Sequence, residues 1–185
     1  TAVNLYWAIG RVKQFVQKNK DLSLDAIREL LVKESQKMID EDIATNKRIG
    51  SFGAAFVADE DNIITHCNAG SIATAGYGTA EGVMRAAVEE GKKIHVYVDE
   101  TRPVLQGARL TAWELMEEKI PCTLVTDNMA GYLLYHDMVD LAIVGGGLVG
   151  ASLALSLAPL GLRIALVEAV PPVQGEQHPS FDERT

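Results

Sequence analysis

The sequence predicts an α/β protein in which a short N-terminal helical region precedes a Rossmann-like, mostly parallel sheet of about five strands. Three observations support this fold class: helical spacing of apolar residues in the first fifty positions, short β-rich runs alternating with helices after residue 51, and glycine-rich or polar loops after those runs. Strands that alternate with helices form right-handed crossovers, which make a sheet parallel. The length of 185 residues suits one domain or slightly more.

The helical region is predicted from apolar residues that recur at intervals of three and four. The first helix carries this pattern at Val3, Leu5, Ala8, Ile9, Val12, Phe15 and Val16. Residues 19–21 interrupt the pattern, and Ser23 is placed to cap a second helix from Leu24 to about Asn46. Gly50 and Gly53 are expected to end the helical region.

The remaining chain alternates between strands and helices. The predicted strands are 63–67, 94–99, 122–126, 141–144 and 164–167. The predicted helices between them are 74–90, 105–118, 130–135 and 150–157. Ligands of parallel sheets bind beyond the carboxyl ends of the strands, so functional residues are expected in the loops that follow them.

Composition and charge exclude several classes of protein. The net charge is −8, and no cluster of Lys and Arg suggests nucleic acid as a partner. Cys67 and Cys122 are too few for a disulfide framework or a zinc site, and reduced thiols fit a cytoplasmic protein. Thr1 begins no signal peptide. The uncharged run 141–162 contains five glycines and Pro159, which favours a strand, a turn and a buried helix over a membrane span.

Cys67 ends the first predicted strand, and a small-residue loop follows it before the next helix. The N-terminus of a helix carries unpaired N–H groups and partial positive charge, which favour a reactive thiolate or a bound anion. A buried structural cysteine is the alternative. From these residues alone, both interpretations stay open.

Two further loops carry polar groups at predicted strand ends. Arg102 and Arg109 follow the second strand and could clamp a phosphate, or they could form ion pairs within their own loop. Asp127 and Asn128 follow the third strand. One of these two is expected to cap the next helix, and the other could contact a ligand.

A glycine motif follows the fourth predicted strand. Gly145, Gly147 and Gly150 form a G-x-G-x-x-G pattern, and Glu168 stands after the next strand, where a ribose hydroxyl would be bound. This order of strand, glycine turn, helix, strand and acid predicts a dinucleotide site. The alternative is a glycine turn that only lets the helix pack closely on the strand.

Residues 1–137 resemble the S-methyl-5-thioribose-1-phosphate isomerases, enzymes of methionine salvage. The same superfamily includes the regulatory subunits of a translation-initiation exchange factor. The matching stretches are 1–5, 41–46, 65–70, 77–80, 99–113 and 126–131. The resemblance implies an aldose–ketose isomerase that acts on a small sugar phosphate without a cofactor and can form a homodimer. It also implies that Cys67 is catalytic and that Gln106 contacts the substrate.

One catalytic residue of that family has no counterpart in this sequence. The family carries an aspartate in a Gly-Ala-Asp-Arg motif after the fourth strand, where this chain has Gly145, Gly146, Gly147 and Leu148. The family's later Asn-Lys contacts and its N-terminal phosphate-binding arginines are also expected to be missing. We therefore expect little or no isomerase activity from this chain.

Residues 138–185 resemble the N-terminus of FAD-dependent ubiquinone-biosynthesis hydroxylases, a class of flavoprotein monooxygenase. The resemblance implies FAD as a possible cofactor of this segment, bound by the glycine motif, Glu168 and Arg184. It predicts a chimera joined near Met138, with a helical region at 1–50, an isomerase core at 51–137 and an FAD-binding start at 138–185. An FAD- or ADP-binding fragment without isomerase activity is the alternative function. A third is a non-catalytic regulatory fragment, against which Cys67 and Gln106 argue.

Overall fold

The computed structural model describes residues 2–145, 155 and 163–167 of the chain. These residues fall into two compact units, whose boundary lies within a helix between Glu41 and Asp42. No helix in the described part of the chain is long and apolar enough to cross a membrane.

The first unit is helical. Helix α1 spans Ala2–Lys18, and α2 begins at Leu24. Ser23 caps α2 as predicted, because its Oγ accepts a hydrogen bond from the N–H of Ala26 at 3.3 Å. Arg11 of α1 donates to the carboxylate of Glu34 at 2.6 Å and also pairs with Glu41, so charged groups join the two helices.

Helix α2 is longer than its sequence predicts, because it spans Leu24–Ala54 and runs through Gly50 and Gly53. A Cβ atom on Gly50 would stand 2.6 Å from the carbonyl oxygen of Gly82, and one on Gly53 would stand 2.3 Å from the side chain of Val83. The prediction that these glycines end the helix is therefore wrong. They let it approach a neighbouring helix closely.

The second unit contains a five-stranded sheet in which every pairing is parallel. The strands are β1 (Asn62–Thr65), β2 (His95–Asp99), β3 (Cys122–Val125), β4 (Leu141–Gly145) and β5 (Arg163–Val167). They are arranged in the order β3-β2-β1-β4-β5. The predicted fold class is thus confirmed, and the strand order is that of a doubly wound α/β fold.

Helices follow the strands and cover both faces of the sheet. Helix α3 spans Ala80–Glu89, a π-helical turn at Gly107–Thr111 leads into α4 (Ala112–Glu117), and α5 spans Met129–Tyr135. The predicted start of α3 at residue 74 is wrong. Residues 71–73 form a 3₁₀ turn, and Gly78 has a φ of +84°, which an α-helix cannot contain.

Alternation of side chains along the strands builds two apolar clusters. One contains Ile63, Val96, Val98, Leu141 and Ile143 together with Val83, Met84 and Leu115 of the helices. The other contains Ile64, Val125 and Ala142 together with Leu133 and Leu134 of α5. Each fully buried side chain of this size contributes about 1.5–3 kcal/mol, so the sheet is a rigid base for the loops at its edge.

Candidate functional site

The loops after β1, β2 and β3 and the end of β4 meet at one edge of the sheet. Strand β1 pairs with β2 on one side and with β4 on the other, so the chain reverses its direction of winding at β1. Crevices at such a switch point are the usual ligand sites of doubly wound sheets. Cys67 follows β1 and Gly145 ends β4, so both flank this point, as the sequence predicts.

Cys67 is held by hydrogen bonds from both sides of its peptide. Its N–H donates to Oγ1 of Thr101 at 2.7 Å, and its carbonyl oxygen accepts from Oγ1 of Thr111 at 2.6 Å. The residue is half-buried and has a left-handed backbone with φ of 67°, which is uncommon for residues other than glycine. The thiol is free, and its position depends on two segments that lie far from it in sequence.

Gln106 precedes the π-helical turn that begins at Gly107. A Cβ atom on Gly107 would stand 1.8 Å from the backbone oxygen of Asp99, so only glycine lets this turn pack against the end of β2. The Oε1 atom of Gln106 is buried and accepts no hydrogen bond within the described part of the chain. A buried acceptor without a donor is uncommon in proteins and suits the hydroxyl group of a ligand.

A second polar cluster consists of His66, Asp99 and Asp127. The Nδ1 atom of His66 lies 3.2 Å from Oδ2 of Asp99, and this hydrogen bond raises the pKa of His66. Burial raises the pKa of Asp99. The ligand atoms of the three side chains lie within 4.8 Å of one another, close enough for a metal ion.

Hydrogen bonds to the backbone account for the position of Asp127 in this cluster. The two carboxylate oxygens of Asp127 accept from the backbone N–H groups of Thr101 and Arg102, both at 2.8 Å. Asp127 therefore fastens the loop after β2 to the end of β3. Asp99 and Asp127 follow from the prediction that strand ends carry polar groups, whereas His66 lacks a distinguishing pattern.

The cap prediction for α5 is wrong, because neither Asp127 nor Asn128 bonds to its N-terminus through a side chain. The Oδ1 atom of Asn128 instead accepts a hydrogen bond from the hydroxyl of Thr126 at 2.6 Å.

Arg102 and Arg109 are exposed, and within the described residues neither forms an ion pair. Their role as a phosphate clamp stays a prediction.

A buried charge network beneath the Cys67 loop has no counterpart in the sequence-based predictions. Glu81 of α3 and Glu114 of α4 are 1% and 2% exposed, and both accept hydrogen bonds at 2.9 Å from Nδ2 of Asn68. Arg85, also buried, donates to Glu114 at 3.0 Å. Glu81 and Arg85 are four residues apart in a helix, and such a pair is usually taken as a solvated surface pair.

A known protein family matches most of this chain. The profile of the Initiation factor 2 subunit family matches residues 1–152, which include the ends of β1 to β4, Cys67 and Gln106. The chain belongs to this family. The match runs past Met138, the predicted point of junction, and covers the whole glycine motif from Gly145 to Gly150.

Members of the family with high similarity to this chain are named as isomerases. A methylthioribose-1-phosphate isomerase from Desulforamulus reducens is 49% identical over 152 residues, and one from Citrifermentans bemidjiense is 54% identical over 152 residues. In both cases the alignment covers 82% of this chain and 44% of the relative. The chain therefore spans less than half the length of these relatives.

Two solved structures of the family share this fold. One is the translation initiation factor eIF-2B, subunit delta, from A. fulgidus, with a TM-score of 0.80 and 38% identity over 91% of this chain and 52% of the other. The other is 5-methylthioribose 1-phosphate isomerase from Pyrococcus horikoshii OT3, with a TM-score of 0.79 and 40% identity over 89% of this chain and 49% of the other. The fold is thus shared by members named as an enzyme and as a translation factor.

Most residues of the predicted FAD site lie outside the described part of the chain. Gly147, Gly150, Glu168 and Arg184 belong to this group, whereas Gly145 ends β4. Neither the family match nor the relatives named above support FAD as a ligand. FAD binding therefore stays a prediction.

Proposed function

We propose that this chain carries part of an aldose–ketose isomerase site that binds methylthioribose 1-phosphate, namely the part that contains the Cys67 thiol. The similarity of the chain to proteins named as isomerases of that compound supports the substrate. The observation that carries the proposal is that a cysteine with a firmly held backbone and a buried acceptor without a donor follow neighbouring strands. Cys67 and Gln106 follow neighbouring strands at the switch point, and the buried Oε1 atom of Gln106 lacks a donor among the described residues.

The proposed roles follow from the chemistry of these two groups. Oε1 of Gln106 accepts a hydrogen bond from a sugar hydroxyl, which orients the ring. The thiol of Cys67 gives or takes a proton at the carbon atoms that react. In the isomerisation to methylthioribulose 1-phosphate the C1–O4 bond of the ring breaks, O4 takes a proton, and the 2-hydroxyl loses its proton to become the C2 carbonyl. The hydrogen lost at C2 is gained at C1, so the reaction is redox-neutral. Such a reaction needs neither a cofactor nor an external oxidant.

We expect this chain to bind the sugar phosphate but to convert it slowly. Gly147 stands where the isomerases resembled by this sequence carry a catalytic aspartate, so the thiol lacks its acid–base partner. Loss of such a partner typically lowers the rate by about 10²–10⁴-fold. Turnover at the rate of the full-length isomerases would contradict this expectation.

Calorimetric titration with methylthioribose 1-phosphate tests the proposed site. Replacing the amide in Gln106→Leu is expected to weaken binding about tenfold, because the variant removes a buried hydrogen bond to the sugar. Cys67→Ser is expected to retain the parent affinity within about threefold, because a hydroxyl replaces a group that acts in the reaction. Gln36→Leu, at an exposed position of α2, serves as the matched control. No heat of binding from the parent chain would overturn the proposal.

Nucleotide binding by residues 138–185 is the second candidate function. Gly145 pairs with Val167 in the parallel ladder of β4 and β5. The strand before the glycine motif and the strand before Glu168 therefore end side by side, as a dinucleotide fold requires. ADP is the probe: we expect weak binding that Gly147→Val abolishes. The candidate is removed if millimolar ADP gives no calorimetric signal.

Location and assembly are proposals that accompany the isomerase function. A reaction that depends on the free thiol of Cys67 requires a reducing compartment, which supports the cytoplasm. The homodimer implied by the family resemblance is tested by sedimentation at micromolar protein concentration. A single species with the mass of one chain would contradict it.

A further inference from the structure

Two buried acids from different helices bind the residue that follows Cys67. The Nδ2 atom of Asn68 donates to Oε1 of Glu81 and to Oε1 of Glu114, both at 2.9 Å. The same nitrogen lies 3.1 Å from Oγ1 of Thr111, and that hydroxyl donates to the carbonyl oxygen of Cys67. These buried side chains therefore hold the loop that carries the Cys67 thiol.

The hydrogen bonds of the two acids are unequal. Glu114 accepts from the backbone N–H of Ser71 at 2.7 Å, from the hydroxyl of Ser71, and from Arg85 at 3.0 Å. Burial opposes its charge, but these hydrogen bonds outweigh burial and lower the pKa of Glu114. Glu81 accepts fewer hydrogen bonds. Its Oε2 atom accepts none in the described part of the chain and lies 3.7 Å from the guanidinium group of Arg85.

The Oε2 atom of Glu81 and the Oε1 atom of Glu114 both lie beside Gly70. A Cβ atom on Gly70 would stand 2.3 Å from Oε2 of Glu81 and 2.4 Å from Oε1 of Glu114, so both oxygens border the same small space. Two carboxylates that approach each other in a buried site cannot both be charged without strong repulsion. Burial and the charge of Glu114 raise the pKa of Glu81 to about 8.

We propose that Glu81 carries one proton at neutral pH and, together with Glu114, positions the Cys67 thiol through Asn68. Glu81 is thus a positioning residue, and this role rests on the proposed function only in taking Cys67 as the reactive group. The charged and polar groups that face Glu81 are Glu114 and Thr111 from the α4 region, Arg85 from α3 and Asn68 from the loop. Arg85 is the cation among them and also pairs with Glu118.

Ionisation of Glu81 at higher pH is expected to loosen the Cys67 loop. It would place two negative charges beside Gly70 with the single charge of Arg85 to balance them. Repulsion between the two carboxylates would then strain the hydrogen bonds that both accept from Asn68 and those that Glu114 accepts from Ser71. The thiol would become easier for a reagent to reach.

The test measures alkylation of Cys67 by iodoacetamide with mass spectrometry, in a Cys122→Ser background. Glu81→Gln imitates the protonated acid and cannot ionise. At about pH 6.5 we expect parent and variant to react at rates within about twofold, and at about pH 9 we expect the parent to react at least about fivefold faster. Comparing the two chains at each pH removes the contribution of thiol ionisation itself.

Two controls make the result specific. Glu90→Gln, at an exposed position directly after α3, is expected to follow the parent at both pH values. Glu114→Gln is expected to increase alkylation of Cys67 even at neutral pH, because it removes the carboxylate that accepts hydrogen bonds from Ser71 and Arg85. Equal rates for parent and Glu81→Gln at both pH values would overturn the proposal.

A second measurement decides the matter if Glu81→Gln does not fold. Hydrogen exchange of the parent chain, corrected for intrinsic rates, is expected to show about tenfold loss of protection at residues 68–71 with a midpoint near pH 8. Protection that does not change with pH would overturn the proposal. Neither measurement needs substrate, so a failure of the isomerase proposal leaves both results interpretable.

Discussion

At the scale of single residues, the candidate site depends on hydroxyl groups that contact the Cys67 backbone. Thr101 lies 34 residues after Cys67 in sequence and Thr111 lies 44 residues after it, yet both bond directly to its peptide. Threonines are common and carry no sequence pattern that predicts such contacts. The family resemblance thus indicates Cys67 as a candidate, whereas the two threonines that hold its peptide could not be predicted from the sequence.

Removal of the Thr111 hydroxyl is expected to destabilise the fold. Thr111→Val keeps the shape of the side chain but leaves the carbonyl oxygen of Cys67 without the hydroxyl that donates to it. Thr111 is 1% exposed, so we expect the free energy of unfolding to fall by about 1–3 kcal/mol in urea denaturation.

Thr123→Val is the matched control, because Thr123 is exposed on β3 and bonds to His95 at the surface. It is expected to change the free energy of unfolding by less than about 0.5 kcal/mol. Equal effects of the two substitutions would show that the Thr111 hydroxyl does not support the loop.

At the scale of secondary-structure elements, glycines decide where helices begin and how closely they pack. The sequence marks Gly50 and Gly53 as a helix end, because glycine is the usual residue there. In the structure both lie inside α2, at its contact with α3. A single sequence cannot distinguish these two uses, since both depend on the missing side chain.

Two glycine substitutions are expected to have opposite effects on stability. In Gly107→Ala, the new methyl group would stand 1.8 Å from the backbone oxygen of Asp99, which cannot move freely, so we expect a loss of more than about 3 kcal/mol. In Gly131→Ala, within α5, no atom lies within 4 Å of the new group. We expect a gain of about 0.5–1 kcal/mol, because alanine favours the helix. Thermal or urea unfolding measures both, and a tolerated Gly107→Ala would contradict the close approach.

At the scale of the whole molecule, the regular pattern of the sequence predicted the sheet well. All five strands lie within two residues of their predicted positions, because buried β-rich runs between turns are a strong signal. The network of Glu81, Arg85 and Glu114 was not predictable, since its burial depends on how two helices cover the sheet. Charged residues in a helix are normally expected at the surface.

The buried acid also makes the stability of the fold depend on pH. Below about pH 4.5, Glu81 is protonated in both the folded and the unfolded chain, so its contribution is at its maximum. As the pH rises towards about 8, the unfolded chain releases this proton while the folded chain retains it. The parent should therefore lose stability relative to Glu81→Gln by about 1.4 kcal/mol per pH unit at most.

Urea unfolding of parent and Glu81→Gln at several pH values checks this difference. Groups that titrate in both chains, such as His66 and Asp99, cancel in the comparison. A difference that stays constant from about pH 5 to pH 8 would mean that Glu81 is already charged in the folded chain.

The central position of β1 has a consequence for synthesis of the chain on the ribosome. Asn62 at the start of β1 bonds to Asp140, 78 residues later, whereas its pairing with β2 needs only the chain up to residue 99. Contacts between distant residues form late, because closing a long loop costs entropy. The half-sheet of β1, β2 and β3, which carries every contact described for Cys67, can therefore assemble before β4 emerges. The thiol loop would be in place before the glycine motif emerges from the ribosome.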